Sequence, residues 1–208
     1  MVRVPWWGVV SSVLGPVLLI GGWTAAADLQ PTPFDAVSRS ISSLAAQGMP
    51  YRWLITSALL GVGICNFVSG LALRPAAEAG RVLLILGGVC SMLIAAYPQH
   101  QHSGSPEHEA FSFAGVVLMT IWPLAAIRRD ADAPYCLRPP VARLAVLFNL
   151  VLLVWFTIEL FNGPLLGLAE RAVTADQSLW PLAVVVSVIA GRAGATEPAE
   201  LESAVRSP

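Results

Sequence analysis

The chain contains no lysine, little charge of either sign and few cysteines. All twelve of its basic side chains are arginine, set against thirteen Asp and Glu, for a formal net charge of −1. No basic run exceeds the pair Arg128–Arg129. That balance excludes the positive field of a nucleic-acid-binding protein. Charged residues make up 12% of the 208 positions against 56% hydrophobic ones, with a mean hydropathy of +0.69. A soluble fold of this length could not cover its surface with so few charges. Of three cysteines, Cys65 and Cys90 fall inside apolar stretches and Cys136 in an arginine-rich loop. None would face an oxidising compartment, so no disulfide is expected. Arginine without lysine, together with abundant Ala, Gly and Val, is a compositional hint of a bacterial high-GC genome.

What the chain does have is apolar length. A bilayer core of about 30 Å needs roughly 20 apolar residues at helical rise. Six stretches qualify: Trp6 to Ala27, Trp53 to Leu73, Val82 to Tyr97, Ala110 to Ile127, Ala142 to Phe161 and Ser178 to Arg192. The last is the weakest and leans on Trp180 and Arg192 as interfacial anchors. Nine arginines lie in the N-terminus, the second and fourth loops and the C-terminal tail. Only Arg39, Arg52 and Arg171 lie in the first, third and fifth loops. This alternation is the positive-inside pattern of a multi-pass protein with both termini in the cytoplasm. The expectation is therefore an all-α polytopic fold: a six-helix transmembrane domain over 1–193 and a disordered cytoplasmic tail over 194–208, rich in Ala, Glu, Ser and Pro. The partner this demands is the lipid bilayer of the bacterial inner (plasma) membrane.

The first stretch also has a rival reading. Arg3, an apolar run and Ala25-Ala26-Ala27 before Asp28 follow the pattern of a secretory signal peptide, but the run is long for a signal core and contains Gly15-Pro16, which favours an uncleaved helix. Aromatic residues sit where interfacial belts would place them, Trp6 and Trp7 at the inner edge and Trp23, Tyr51, Trp53, Tyr97, Trp155 and Trp180 at the outer one. Small residues recur every four positions in the second stretch (Ser57, Gly61, Cys65, Ser69) and in the third (Gly87, Ser91, Ala95). Such seams let backbones approach closely and predict that these two helices touch. Asn66 and Asn149 are the polar side chains placed deepest, and the expectation is a structural hydrogen bond between them across two helices.

The first outer loop does not read as coil. Phe34, Val37, Ile41, Leu44 and Ala45 form a helical apolar stripe, and Gly48 with Pro50 supplies a stop. An amphipathic outer-face helix over about 34–47 follows, with Asp35, Ser38 and Ser42 along one edge. The third loop holds all three histidines, His100, His102 and His108, beside Glu107 and Glu109. These are zinc-ligand residue types, but their spacing matches no standard motif. His-x-His in extended chain sends its rings to opposite faces, and Gly104 and Pro106 make a poor template. A solvated polar loop is the plain reading, a pH-responsive one the next, and no cofactor is expected, zinc being the exception the ligand types leave open. His108 stands apart, because Glu107, His108 and Glu109 occupy the first turn of the fourth span and can turn toward the bundle. Glu159 lies at similar depth near the outer end of the fifth span.

The chain resembles the family called domain of unknown function 998, bacterial and archaeal membrane proteins. The resemblance rests on Asp35, Ser38, Ser40, Ser42 and Leu44 in Asp-Ala-Val-Ser-Arg-Ser-Ile-Ser-Ser-Leu, on Tyr97-Pro98, and on His108 after Gly104, in that order within six spans. It implies a compact six-helix membrane protein and brings no established activity. His100 and His102 are not part of the family's pattern.

Three functions compete on these residues. The first is a non-enzymatic integral membrane protein that contacts lipid or serves a partner as an accessory component, for which short loops and the want of a catalytic motif in the spans speak. The second is a metal-dependent hydrolase of a lipid or amide on the outer face, with His108 as base or metal ligand, Asp35 as its partner, and Ser38 or Ser42 binding substrate or attacking it. The third is a small-solute transporter, which calls for midplane ionisable groups or broken helices; against it, the spans as drawn offer only Asn66, Asn149, Pro16 and Pro123.

Overall fold

The computed structural model describes residues 3–100 and 104–205, with side chains through 191 except that of Asn162. Its long helices are α1 (Trp6–Asp28), α3 (Arg52–Ala72), α4 (Glu78–Ala96), α5 (Pro106–Ala125), α6 (Pro139–Asn162) and α7 (Leu166–Val205). A four-residue helix α2 (Ile41–Leu44) lies between α1 and α3, and a 3₁₀ turn (Tyr135–Leu137) precedes α6. Six of the helices are long and apolar enough to cross a membrane, α7 through its Leu166–Gly191 part. The chain is thus an all-α, multi-pass membrane protein. Residues 194–208, read from the sequence as a disordered tail, continue α7 as far as Val205, with side chains outside the described part.

The helices pack in a ring: α1 on α3, α3 on α4, then α5, α6 and α7, which closes on α1. Local chemistry sets their starts. Ser105 accepts the His108 amide at 3.4 Å and Pro106 occupies the first turn of α5; Pro139 and Pro140 open α6, where proline's missing N–H costs nothing. Gly48 has φ 86°, a left-handed conformation that glycine adopts freely, in the turn between α2 and α3; α2 has already ended at Leu44, so Gly48 is not the helix stop expected of it. One buried cluster lies at the α2 end around Leu19, Trp23, Ile41, Leu44 and Ile55. The other lies at the arginine-rich end around Leu73, Leu84, Trp122, Leu137 and Val184.

Small residues hold the helices close, and the third-stretch seam meets α3 as expected at Ser91, whose hydroxyl donates to Leu59 O at 2.8 Å, but the second-stretch seam does not face α4. The second-stretch seam faces α1: Ser69 shares a 2.9 Å hydrogen bond with Ser11, and Cys65 lies beside Gly15. Helices α3 and α4 do touch, chiefly through Gly63 and Gly88. A β-carbon on either would sit 2.6 Å from the other's carbonyl oxygen. Two aromatic placements also change. Trp23 is buried beneath the Arg171 guanidinium, 5.9 Å from its ring centre, and Trp180 lies fourteen residues into α7, about 21 Å along its axis at helical rise, not at the outer edge.

Two larger departures matter for function. The helix expected over about 34–47 is a turn followed by α2 alone. Asp35 Oδ1 accepts the Val37 and Ser38 amides at 3.0 and 3.3 Å, and Ser40 Oγ accepts the Ser43 amide at 3.0 Å. These short polar side chains compete for the amides a longer helix would use. The sixth span begins at Leu166, twelve residues before Ser178. Glu170, Arg171 and Asp176 depress the hydropathy of that segment, yet each finds a partner in the bundle. What reads as a loop is helix.

Candidate functional site

The α2 end gathers a compact polar constellation. His108 is 4% exposed and uses both ring nitrogens. Its Nδ1 lies 3.0 Å from the Tyr97 carbonyl oxygen, and its Nε2 lies 3.1 Å from Ser42 Oγ. A carbonyl only accepts, so Nδ1 carries the proton and Nε2 receives one from the Ser42 hydroxyl. Ser42 Oγ also sits 3.5 Å from Glu170 Oε1, at the edge of bonding distance. Glu170 Oε2 accepts the Ile41 amide at 2.6 Å. A carboxylate from α7 therefore caps the start of α2, which a serine on α2 ties to a histidine on α5.

Arg171 completes the attachment. Its Nη1 donates to the carbonyl oxygens of Ala36 at 2.8 Å, Arg39 at 3.0 Å and Gly167 at 2.9 Å. The Leu168 amide donates to Val37 O at 3.0 Å, and the Gln47 amide to Gln99 O at 3.0 Å. The first loop is thus sewn to α7 and to the loop before α5.

Of the residues singled out in the sequence, Ser42 and His108 meet. Asp35 and Ser38 pair instead with each other, Ser38 Oγ donating to Asp35 Oδ2 at 2.6 Å. That bond, with the Val37 and Ser38 amides, holds the Asp35 carboxyl below the usual carboxylate range. Asp35 is not bonded to His108, so it does not orient it. Glu159 belongs to the α6–α7 turn, where it accepts from Trp155 Nε1 at 3.3 Å and the Leu165 amide at 2.9 Å. His100 is exposed, and His102 lies outside the described residues. Among those described, no group of three His, Cys, Asp or Glu is placed to hold a metal ion.

A second polar cluster sits inside the bundle. Thr120 Oγ1 donates to Asn149 Oδ1 at 2.7 Å, and Asn149 Nδ2 donates to Asp176 Oδ2 at 2.8 Å. Gln177 Nε2 donates to the Val116 carbonyl and Thr120 Oγ1, both at 3.1 Å, and to Asn149 Oδ1 at 3.3 Å. The expected Asn66–Asn149 bond is replaced by this set, since Asn66 lies at the α3–α4 seam against Gly88. Asp176 is ten residues into α7, about 15 Å along the axis, which puts an ionisable group near mid-span. The premise that the spans carry none is corrected.

Glu170, Arg171, Asp176 and Gln177 escaped as site residues because their segment was read as a loop. A signal was there: Glu170, Thr174 and Gln177 at i, i+4 and i+7 are the polar stripe of one helix face.

A family model described as "Protein of unknown function (DUF998)" matches residues 13–187. No curated protein and no solved structure matches the chain.

Proposed function

Since the chain belongs to the DUF998 family of proteins of unknown function, a description that carries no activity, we propose from its geometry that it is a non-enzymatic, lipid-contacting component of the bacterial inner membrane, with both termini and the arginine-rich face in the cytoplasm. The observation that carries this is the surface of α6. Leu144, Leu147, Val151, Val154, Ile158 and Phe161 all stand exposed along it. Their spacing of three and four residues places them on one face. None is small, whereas helix seams in membranes are built from small residues, as the α1–α3 seam is. A bulky apolar face suits acyl chains. A photo-crosslinking phenylalanine analogue at Val151 or Ile158, activated in native membranes, should yield lipid adducts. A discrete band with one other protein would replace this reading with that of a partner-binding subunit.

The hydrolase reading keeps one favourable observation, the 3.1 Å pairing of Ser42 with His108, which is the arrangement of a nucleophile and its base. Against it, the Ile41 and Ser43 amides that could stabilise an oxyanion are bonded to Glu170 and Ser40. On this balance the cluster fastens the first loop and performs no chemistry. A fluorophosphonate probe should leave the protein unlabelled, and labelling that is lost in Ser42→Ala would establish the hydrolase instead.

A further inference from the structure

Between α6 and α7 a groove of about 360 Å³ is lined by Val141, Leu144, Ala145 and Phe148 on one side and Asp176 and Trp180 on the other. That volume lies in the range of small-molecule sites, about 300–1,000 Å³. We propose that this groove binds a lipophilic organic cation, with the Asp176 carboxylate as counter-ion and the Trp180 and Phe148 rings as its walls. The groove lies apart from the outer constellation and borders the exposed stripe of α6, with which it shares Leu144; its carboxylate is no part of the lipid-contact reading, so it stands whether or not that reading does.

A carboxylate near mid-span is costly unless paired. Asp176 accepts one hydrogen bond, on Oδ2 from the neutral Asn149 amide. The single salt bridge among the described residues joins Arg128 to Asp130. The nearest arginine on the same helix, Arg171, has its Nη1 committed to three carbonyls. Its Nη2 makes no hydrogen bond and forms no salt bridge with Asp176, so among the described residues no basic group pairs with that carboxylate. The polar cluster behind it is not the place for a metal cation, because Gln177 Nε2 already donates into the oxygens of Thr120, Asn149 and Val116. On the other side of Asp176 the walls are apolar and aromatic. A hard inorganic ion would find no oxygen cage there. A cation whose charge is spread over organic substituents would find a carboxylate, two aromatic residues and aliphatic walls.

The test uses the full-length protein in phosphatidylcholine nanodiscs and radiolabelled tetraphenylphosphonium as the probe, with uncharged triphenylphosphine oxide as the control. The expected result is saturable phosphonium binding above empty discs, weakened about tenfold or more by Asp176→Asn, which keeps the shape and the Asn149 contact. Ala145→Phe, which fills the groove from α6 and leaves the carboxylate intact, should weaken it likewise; that second variant keeps the test decisive if Asp176→Asn fails to fold. Absence of saturable binding by the parent chain overturns the proposal. So does undiminished binding by either folded variant, or equal affinity for the uncharged control, which would mark the groove as an acyl-chain slot.

Discussion

Arg171 ties the first loop to α7, with Nη1 within 3.0 Å of the Ala36 and Arg39 carbonyl oxygens in that loop and of the Gly167 carbonyl oxygen on its own helix. Bonds from a charged donor contribute about 1.5–3 kcal/mol net, and the planar guanidinium matches several acceptors at once where an ammonium cannot. Arg171→Ala should therefore cost about 2–3 kcal/mol, and Arg171→Lys an intermediate amount, read as the shift in thermal unfolding of the detergent-solubilised protein. An unchanged melting curve for Arg171→Ala would show that the loop is held without it, by Glu170 and by the backbone bonds of Val37 and Gln47. Other residues were legible before the fold was known. The buried turn of His108 toward the bundle follows from its place in the first turn of α5, whereas Asp35 and Ser38, expected along one edge of an outer-face helix with Asp35 as the partner of His108, bond to each other instead. Glu170 was not legible as a cap, because its partners Ile41 and Ser42 are 129 and 128 residues away.

Elements pack here by close backbone approach, and the glycines report where. Gly88 faces Gly63 across the α3–α4 seam, where an added β-carbon would meet the Gly63 carbonyl at 2.6 Å and the Phe67 amide nitrogen at 2.8 Å. Backbone cannot step aside as a side chain does. Gly88→Ala should destabilise by about 1–3 kcal/mol, as overpacking does. Gly21, on the exposed side of α1, has nothing within 4 Å of the same added atom. Gly21→Ala should be neutral or stabilise by up to about 1 kcal/mol through helix propensity. The contrast is measured by comparing the two melting temperatures in one detergent, and equal shifts would mean that the seam relaxes freely. That α3 and α4 touch was readable from the four-residue repeat of small side chains. Which small residues make the contact was not, since a helix with small residues on two faces offers two seams and only the neighbours choose between them.

For the whole molecule the open prediction is orientation. In a Cys136→Ser background, with Cys65 and Cys90 buried, a cysteine at exposed Gln47 should react with a membrane-impermeant maleimide in intact cells. One at exposed Ala131 should react only after lysis. The reverse pattern would overturn the positive-inside assignment. Six crossings and the family were determined by the sequence alone, because spanning helices must satisfy their backbone internally and present about 20 apolar residues to lipid, a property of each segment by itself. The arginine count per loop likewise needs no partner to be read. The tertiary structure alone decided what the polar residues do. It brought Ser42 to His108 across 66 positions, began the sixth span at Leu166 by giving its charges partners, and set Asp176 beside an apolar groove. The physical reason is that a polar side chain in a bundle takes its meaning from what another helix places against it, and that pairing is written in no single stretch of chain.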